Sequence, residues 1–294
     1  MMKPNHLIIS FSGGRTSGYL TKMLLDASEY EKIYVVFANT GQEHPRTLEF
    51  VHNCDQHFGF NTTWIEAEIQ DGKGNGTRHR VVDYDTASRD GRPFEDVIRK
   101  YGIPFTKSPH CTREMKRYPI MDYIRDLGLK RGDYHMAIGI RADEADRMSP
   151  KAGYDGIIYP LVKANVKKID VLEWWSKQQF DLEIPEHMGN CVWCWKKSFK
   201  KLITVMDEMP DAFDFPRRME IEYARSGAVA NKLQKDIRFF RGWKSVDDIE
   251  EMLMNGHETF TDPWFEQTNG CSDSCEVFTD EEQMNFDFLE GRNA

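Results

Sequence analysis

Nowhere in the 294 residues does an apolar run approach the roughly 18 residues expected of a membrane span, so no membrane role is expected. The N-terminal stretch MMKPNHLIISFSGG lacks a signal-peptide layout, because its short apolar run passes straight into a glycine turn with no small-residue cleavage site. The expected location is the cytoplasm. An excess of basic charge is also missing: 39 Lys and Arg against 48 Asp and Glu leave a net charge of -9. That balance argues against a broadly basic nucleic-acid surface, and only local runs such as CWKKSFKK and PRRMEIEYAR leave basic patches open. There is no internal repeat. Neither G-x-x-x-x-G-K-[ST] nor G-x-G-x-x-G fits the glycine turn, which excludes a Walker loop and a dinucleotide fingerprint there. Cysteine is sparse, at positions 54, 111, 191, 194, 271 and 275. Such thiols stay reduced in cytosol, which turns attention from disulfides to metal binding or redox catalysis.

What is present is the composition of an ordinary globular protein, 40% hydrophobic and 30% charged, long enough for a core that needs no covalent staples. Short β-like runs (LIISF, KIYVVFANT, NTTWIEAEI) alternate with amphipathic helix-length segments (GYLTKMLLDAS, PRTLEFVHNCDQHFG). That alternation predicts an α/β fold with a doubly wound, mostly parallel sheet, whose ligands bind beyond the carboxyl ends of the strands. Residues 70–92, polar and glycine-rich, are expected to form a long loop. After IIYPLV the patterns turn helical. The expected division is a nucleotide-binding α/β domain over 1–165, a mainly helical, cysteine-bearing region over 166–280, and an acidic tail over 281–294.

The stretch HLIISFSGGRTSGYL runs a strand through Ser12, Gly13 and Gly14 into a helix. Glycines without a Cβ let backbone N–H groups approach an anion, and the helix that follows adds its N-terminal dipole. Ser10, Ser12, Thr16 and Ser17 add hydroxyls and Arg15 a positive charge, so the turn has the makings of a phosphate cradle. Taken alone, it is equally an ordinary strand-to-helix connection.

Its company decides between the two. SGGRTS is similar to the S-G-G-x-[DT]-S loop of the PP-loop superfamily, the adenine-nucleotide α-hydrolase-like proteins that include ATP pyrophosphatases and phosphoadenylyl-sulfate (PAPS) reductases. Three later segments resemble the PAPS reductase branch in order: FANTGQEHPRTLEFV, CTREMKRYPI with its Cys-x-x-x-x-Lys-x-x-Pro pattern, and GIRADEADR. The likeness spans roughly residues 6–200. It implies that Ser12, Gly13, Gly14, Thr16 and Ser17 surround the phosphates of an adenine nucleotide, with Asn39, Thr40 and Gly41 near the adenosine. It also implies that Arg141, Asp143, Glu144 and Arg147, with Lys116, serve the phosphate or sulfate end where the chemistry occurs. Arginine forks suit phosphate, and paired carboxylates position either Mg2+ or an arginine.

Cys191 and Cys194 form a Cys-x-x-Cys that reads as a redox pair, half of a zinc site or half of an iron–sulfur site. In cluster-bearing sulfonucleotide reductases the segment matching Cys111 supplies ligands. The resemblance therefore implies a [4Fe–4S] cluster on Cys111, Cys191, Cys194 and one of Cys271 or Cys275, with zinc as the alternative. Cys54 reads as a packed core residue, and His110 and His187 as packing residues beside the cysteines. Trp174, Trp175, Trp193 and Trp195 read as one hydrophobic group around the metal-binding region. Two departures from the reductases stand out: HCT replaces their adjacent cysteines, and their Glu-Cys-Gly-x-His tail is missing.

Three functions follow as expectations. The first is ATP pyrophosphatase chemistry coupled to sulfur transfer onto a tRNA, DNA or small-molecule acceptor. The second is reduction of PAPS or adenylyl sulfate to sulfite with a thiol reductant such as thioredoxin. The third is a non-catalytic adenine-nucleotide sensor. A homodimer is left open.

Overall fold

The computed structural model describes residues 4–27, 29–72 and 75–260. Its centre is a six-stranded sheet of β1 (His6–Ser10), β2 (Lys32–Asn39), β3 (Thr63–Ile69), β4 (Thr77–Val82), β5 (Tyr134–Ala137) and β6 (Ile157–Ile158). The spatial order is β4-β3-β2-β1-β5-β6, and every pairing except β3–β4 is parallel. The helices that connect the strands are α1 (Arg15–Ala27), α2 (Pro45–Phe58) and α3 (Arg92–Tyr101). A further helical stretch begins with the short α4 (His110–Thr112) and ends in α5 (Tyr118–Asp126). Strand order reverses at β1, which has β2 on one side and β5 on the other. The ends of β1 and β5 therefore form the switch point at which an open α/β sheet binds its ligand.

Alternation along β1 builds two cores. Leu7 and Ile9 join one cluster with Leu20, Phe50 and Val51, whereas Ile8 joins the other with Val36, Ile65, Ile120 and Ile124. Both faces are buried, so these strands read as continuous apolar runs. Each such side chain, removed from water, contributes about 1.5–3 kcal/mol.

Residues 70–92 depart from the expected loop, because Thr77–Val82 is an edge strand antiparallel to β3. Polar partners hold it in place of apolar periodicity: Arg80 pairs with the buried Glu66 at 2.6 Å, Thr77 donates to Glu114, and His79 meets Asp122 at 2.8 Å.

Beyond β5 come the short α6 (Ala152–Asp155) and α7 (Pro160–Lys163), then α8 (Lys168–Trp175), α9 (Phe199–Glu208), α10 (Asp214–Tyr223), α11 (Gly227–Leu233) and α12 (Val246–Met254). No helix among the described residues is long and apolar enough to cross a membrane. Helix α8 clamps α1: the Trp175 indole N–H donates to the Arg15 carbonyl at 2.8 Å, and a Cβ added at Gly18 would stand 2.8 Å from the Trp175 ring. The four tryptophans share one hydrophobic cluster, within which their rings fall into separate aromatic contacts. Trp174 and Trp175 pack with Tyr19, Phe50 and Phe58, while Trp193, Phe94 and Phe215 pack as a mutual trio. Cys54 is fully buried on α2, and burial pushes its thiol far up, as befits an inert core residue.

Candidate active site

The loop between β1 and α1 is shaped from within. Gly13 adopts φ +76°, and a Cβ there would stand 2.8 Å from Thr47 Cγ2, so both backbone and space require glycine. The Ser17 hydroxyl donates to the Gly14 carbonyl and receives the Ser12 N–H at 3.2 Å, with Ser12 Oγ 3.0 Å away. This cross-bracing holds the turn over the start of α1, where unpaired N–H groups face outward. Ser10 ends β1 and is buried. Arg15 lines the same hollow as the loop, and its guanidinium pairs with Asp181 at 2.7 Å and donates to the Leu182 carbonyl. That contact fastens the segment 182–190 across the loop, and the resulting cavity is lined by Ser12, Gly13, Gly14, Thr47, Glu186 and Asn190 among others. The hydroxyl of buried Thr47 has no hydrogen-bond partner.

The charged loop after β5 sits beside α1. Arg141 donates to Thr16 Oγ1 at 3.0 Å and to Asp143 at 3.1 Å, and lies 3.3 Å from Glu144. Glu144 also receives Arg147. Of the two roles open to the paired carboxylates, the structure shows arginine positioning: both Asp143 and Glu144 engage guanidinium groups. Ordered this way, the loop braces the first turn of α1.

Asn39, Thr40 and Gly41 form the turn after β2. Asn39 is completely buried, and its amide donates to Glu66 at 2.7 Å and to the Ser88 carbonyl at 2.9 Å, while Gly41 N–H returns to its Oδ1 at 3.2 Å. Asn39 thus shapes the turn from below. Thr40 donates to Glu43 at 2.8 Å and lies 3.4 Å from Cys191 Sγ. Glu43 forms an isolated antiparallel bridge with Cys191, Val192 N–H donates to the Gln42 carbonyl at 3.0 Å, and the Trp193 indole donates to Gln42 Oε1. The turn expected near the adenosine is therefore stitched to the Cys-x-x-Cys 151 residues further on.

Cys111, Cys191 and Cys194 line one small cavity of about 20 Å³ together with Thr40, Lys116 and Asn190. Lys116 is buried in a π-helical turn, Arg113–Arg117, a distortion often found at functional sites. Burial, reinforced by the Glu43 carboxylate and by Cys194, pushes the Cys191 thiol well up, while Lys116 and the Thr40 hydroxyl act in the opposite direction. Trp195, in the same wall, carries a buried indole N–H without a partner. Three thiols, a lysine and a spare donor around one cavity fit a thiolate-held group. Cys271 and Cys275 lie outside the described residues.

Among the described residues, the trio of His, Cys or carboxylate donors drawn within 4.8 Å of one another is His79, Asp122 and Asp126, not the cysteines. Arg125 already engages Asp122 at 2.7 Å. Thiolates around one zinc at about 2.3 Å stand about 3.8 Å apart, closer than this cysteine trio is drawn. His110 is a packing residue, bonded through Nε2 to the Gly102 carbonyl at 3.0 Å, and burial followed by the Arg113 charge lowers its pKa to about 4. The basic runs are internally paired: Lys201 meets Glu186, Lys200 meets Glu258, Arg217 meets Glu250 and Arg218 meets Glu95.

Residues 6–152 match the phosphoadenosine phosphosulfate reductase domain. The chain belongs to this family. The PAPS reductase match ends before the Cys-x-x-Cys, so Cys191 and Cys194 stand in the helical region that follows. Two relatives resemble the chain. The uncharacterized nin region protein ORF290 of Escherichia phage lambda is 36% identical over 98% of this chain and 99% of its own length. The uncharacterized protein MJ0066 of Methanocaldococcus jannaschii is 23% identical over 58% of this chain and 29% of its own length.

Sequence reasoning did not anticipate Gln42 and Glu43, which tie the nucleotide turn to the cysteines, nor Thr47 and Asn190 in the cavity walls. The segment quoted as FANTGQEHPRTLEFV contains three of them, but pairing across such sequence distance leaves no local pattern.

Proposed function

We propose that this member of the PAPS reductase family is a PP-loop enzyme that cleaves ATP to pyrophosphate and couples the resulting adenylate to sulfur transfer. The phosphates lie on the Ser12–Gly14 backbone at the N-terminus of α1, and the adenosine lies towards Asn39–Gly41. An acceptor oxygen attacks the α-phosphorus, and the α–β bridging bond breaks. Pyrophosphate leaves with that electron pair. A sulfur nucleophile then displaces the adenylated oxygen, and AMP departs. Backbone donors at the loop stabilise the charge that builds on the phosphate oxygens. Mg2+ arrives with the nucleotide, since Asp143 and Glu144 already serve Arg141 and Arg147.

Cys111, Cys191 and Cys194, with a fourth thiolate from Cys271 or Cys275, would hold a [4Fe–4S] cluster, which supplies a site for carrying or delivering sulfide. Zinc on the same thiolates is the alternative. The observation that carries this reading is the Glu43–Cys191 bridge, which sets the nucleotide turn directly against the thiol wall. Reduction of PAPS is the second reading. It needs an exposed thiolate free of the cluster, a role left to whichever of Cys271 and Cys275 is not a ligand.

The test is anaerobic purification followed by counts of iron, zinc and acid-labile sulfide, with ATP and PAPS turnover on the same sample. About four iron and four sulfide per chain, lost in C191A and C194A, with pyrophosphate formed from ATP, is the expected result. Zinc without sulfide overturns the cluster. Sulfite from PAPS, with no pyrophosphate from ATP, selects the reductase.

A further inference from the structure

A threonine inside a helix commonly returns its hydroxyl to the carbonyl four residues earlier, and two here do so: Thr21 donates to Ser17 and Thr204 to Lys200, each at 2.8 Å. Thr47, in the first turn of α2, does not. The residue is only 3% exposed, and its hydroxyl is buried without a hydrogen-bond partner. An orphaned donor of this kind destabilises the free protein, so its presence calls for a partner that the chain does not supply.

The position of Thr47 indicates what that partner is. Thr47 lines the hollow bounded by Ser12, Gly13, Gly14 and Arg15, and its Cγ2 methyl stands 2.8 Å from where a Cβ on Gly13 would lie. The hollow measures about 20 Å³, room for one oxygen-sized group. Its electrostatics suit an anion. The first turn of α2 carries no acidic side chain, so the positive end of the helix dipole meets no carboxylate of its own. Glu186, the carboxylate of the lining, is held by Lys168 and Lys201 at 2.7 Å each. The hydroxyls of Ser12, Ser17 and Thr16 already have partners within the chain, and that of Thr47 is the spare one.

We propose that Thr47 contacts the substrate, its hydroxyl donating a hydrogen bond to a phosphoryl oxygen of the adenine nucleotide held at the Ser-Gly-Gly loop. Threonine in a helix has two common χ1 rotamers, so the hydroxyl can turn towards an arriving oxygen without moving α2. This deepens the adenine-nucleotide reading and rests on it. A hydrogen bond to a charged group of this kind carries about 10- to 100-fold in affinity.

The experiment is calorimetric titration of the full-length protein with Mg-ATP, PAPS and adenosine, together with thermal melts of the free protein, comparing wild type with T47V and T47S. T47V keeps the branched shape and removes the hydroxyl, whereas T47S keeps the hydroxyl and loses the methyl. For the nucleotide that wild type binds, T47V is expected to lose at least about tenfold in affinity and T47S no more than about threefold, with adenosine within about twofold in both. Without the orphaned donor, free T47V should melt higher than wild type, the opposite of what loss of a structural hydroxyl would give. T47V binding the nucleotide as tightly as wild type, losing adenosine in the same proportion, or melting lower overturns the role of Thr47 alone. Wild type binding neither ATP nor PAPS overturns the nucleotide reading and Thr47 with it.

Discussion

Arg141 donates to the Thr16 hydroxyl at 3.0 Å, joining the charged loop after β5 to the first turn of α1. Arg141 and Glu144 are both buried, at 4% and 6% exposure, and stand 3.3 Å apart. Removing one member of such a buried pair leaves the other charge poorly compensated, which costs about 3–5 kcal/mol. R141M is therefore expected to lower the unfolding free energy by about that amount in urea melts. A loss below about 1 kcal/mol would show that Arg147 alone suffices for Glu144.

A second, partly buried cluster gives a pH dependence. Burial by itself raises the Glu186 pKa, but hydrogen bonds from Lys168 and Lys201 outweigh it, and the net shift is downward. The unfolded chain then binds a proton at higher pH than the folded one, so this stabilisation is complete above the ordinary glutamate range and is lost as pH falls through the folded value. Urea melts from about pH 7 to 3 should show a shallower acid slope in E186Q than in wild type. E186Q should also be less stable at neutral pH, because Lys201, only 2% exposed, loses its carboxylate. Parallel slopes would contradict the assignment.

Gly18 sets two effects against each other. Alanine is the better helix former by about 1 kcal/mol, but its Cβ would stand 2.8 Å from the Trp175 ring, and overpacking costs about 1–3 kcal/mol. The ring is pinned by its bond to the Arg15 carbonyl, so it yields little. G18A should therefore melt lower than wild type, and a higher melting temperature would mean that α8 moves freely on α1.

Much of this was legible in the sequence, because the strands of the parallel sheet are apolar runs and SGGRTS is a compact local motif. Strand β4 was not, since its residues are held by Glu66, Glu114 and Asp122 and carry no apolar alternation. Arg15 reads as a phosphate-binding charge beside the glycines, and its ion pair with Asp181 leaves no trace in the local sequence. The Glu43–Cys191 bridge is likewise invisible in either segment alone, because each supplies only one side of it.

Gly13 offers the most direct test of nucleotide binding at the Ser-Gly-Gly loop. Its φ of +76° and the 2.8 Å approach of Thr47 to an added Cβ mean that G13A must displace the loop backbone from any phosphate it holds. Equilibrium titration of wild type and G13A with Mg-ATP should give saturable one-to-one binding in the first and at least about tenfold weaker binding in the second. No saturable binding by wild type, or equal affinity in the two proteins, would contradict the account.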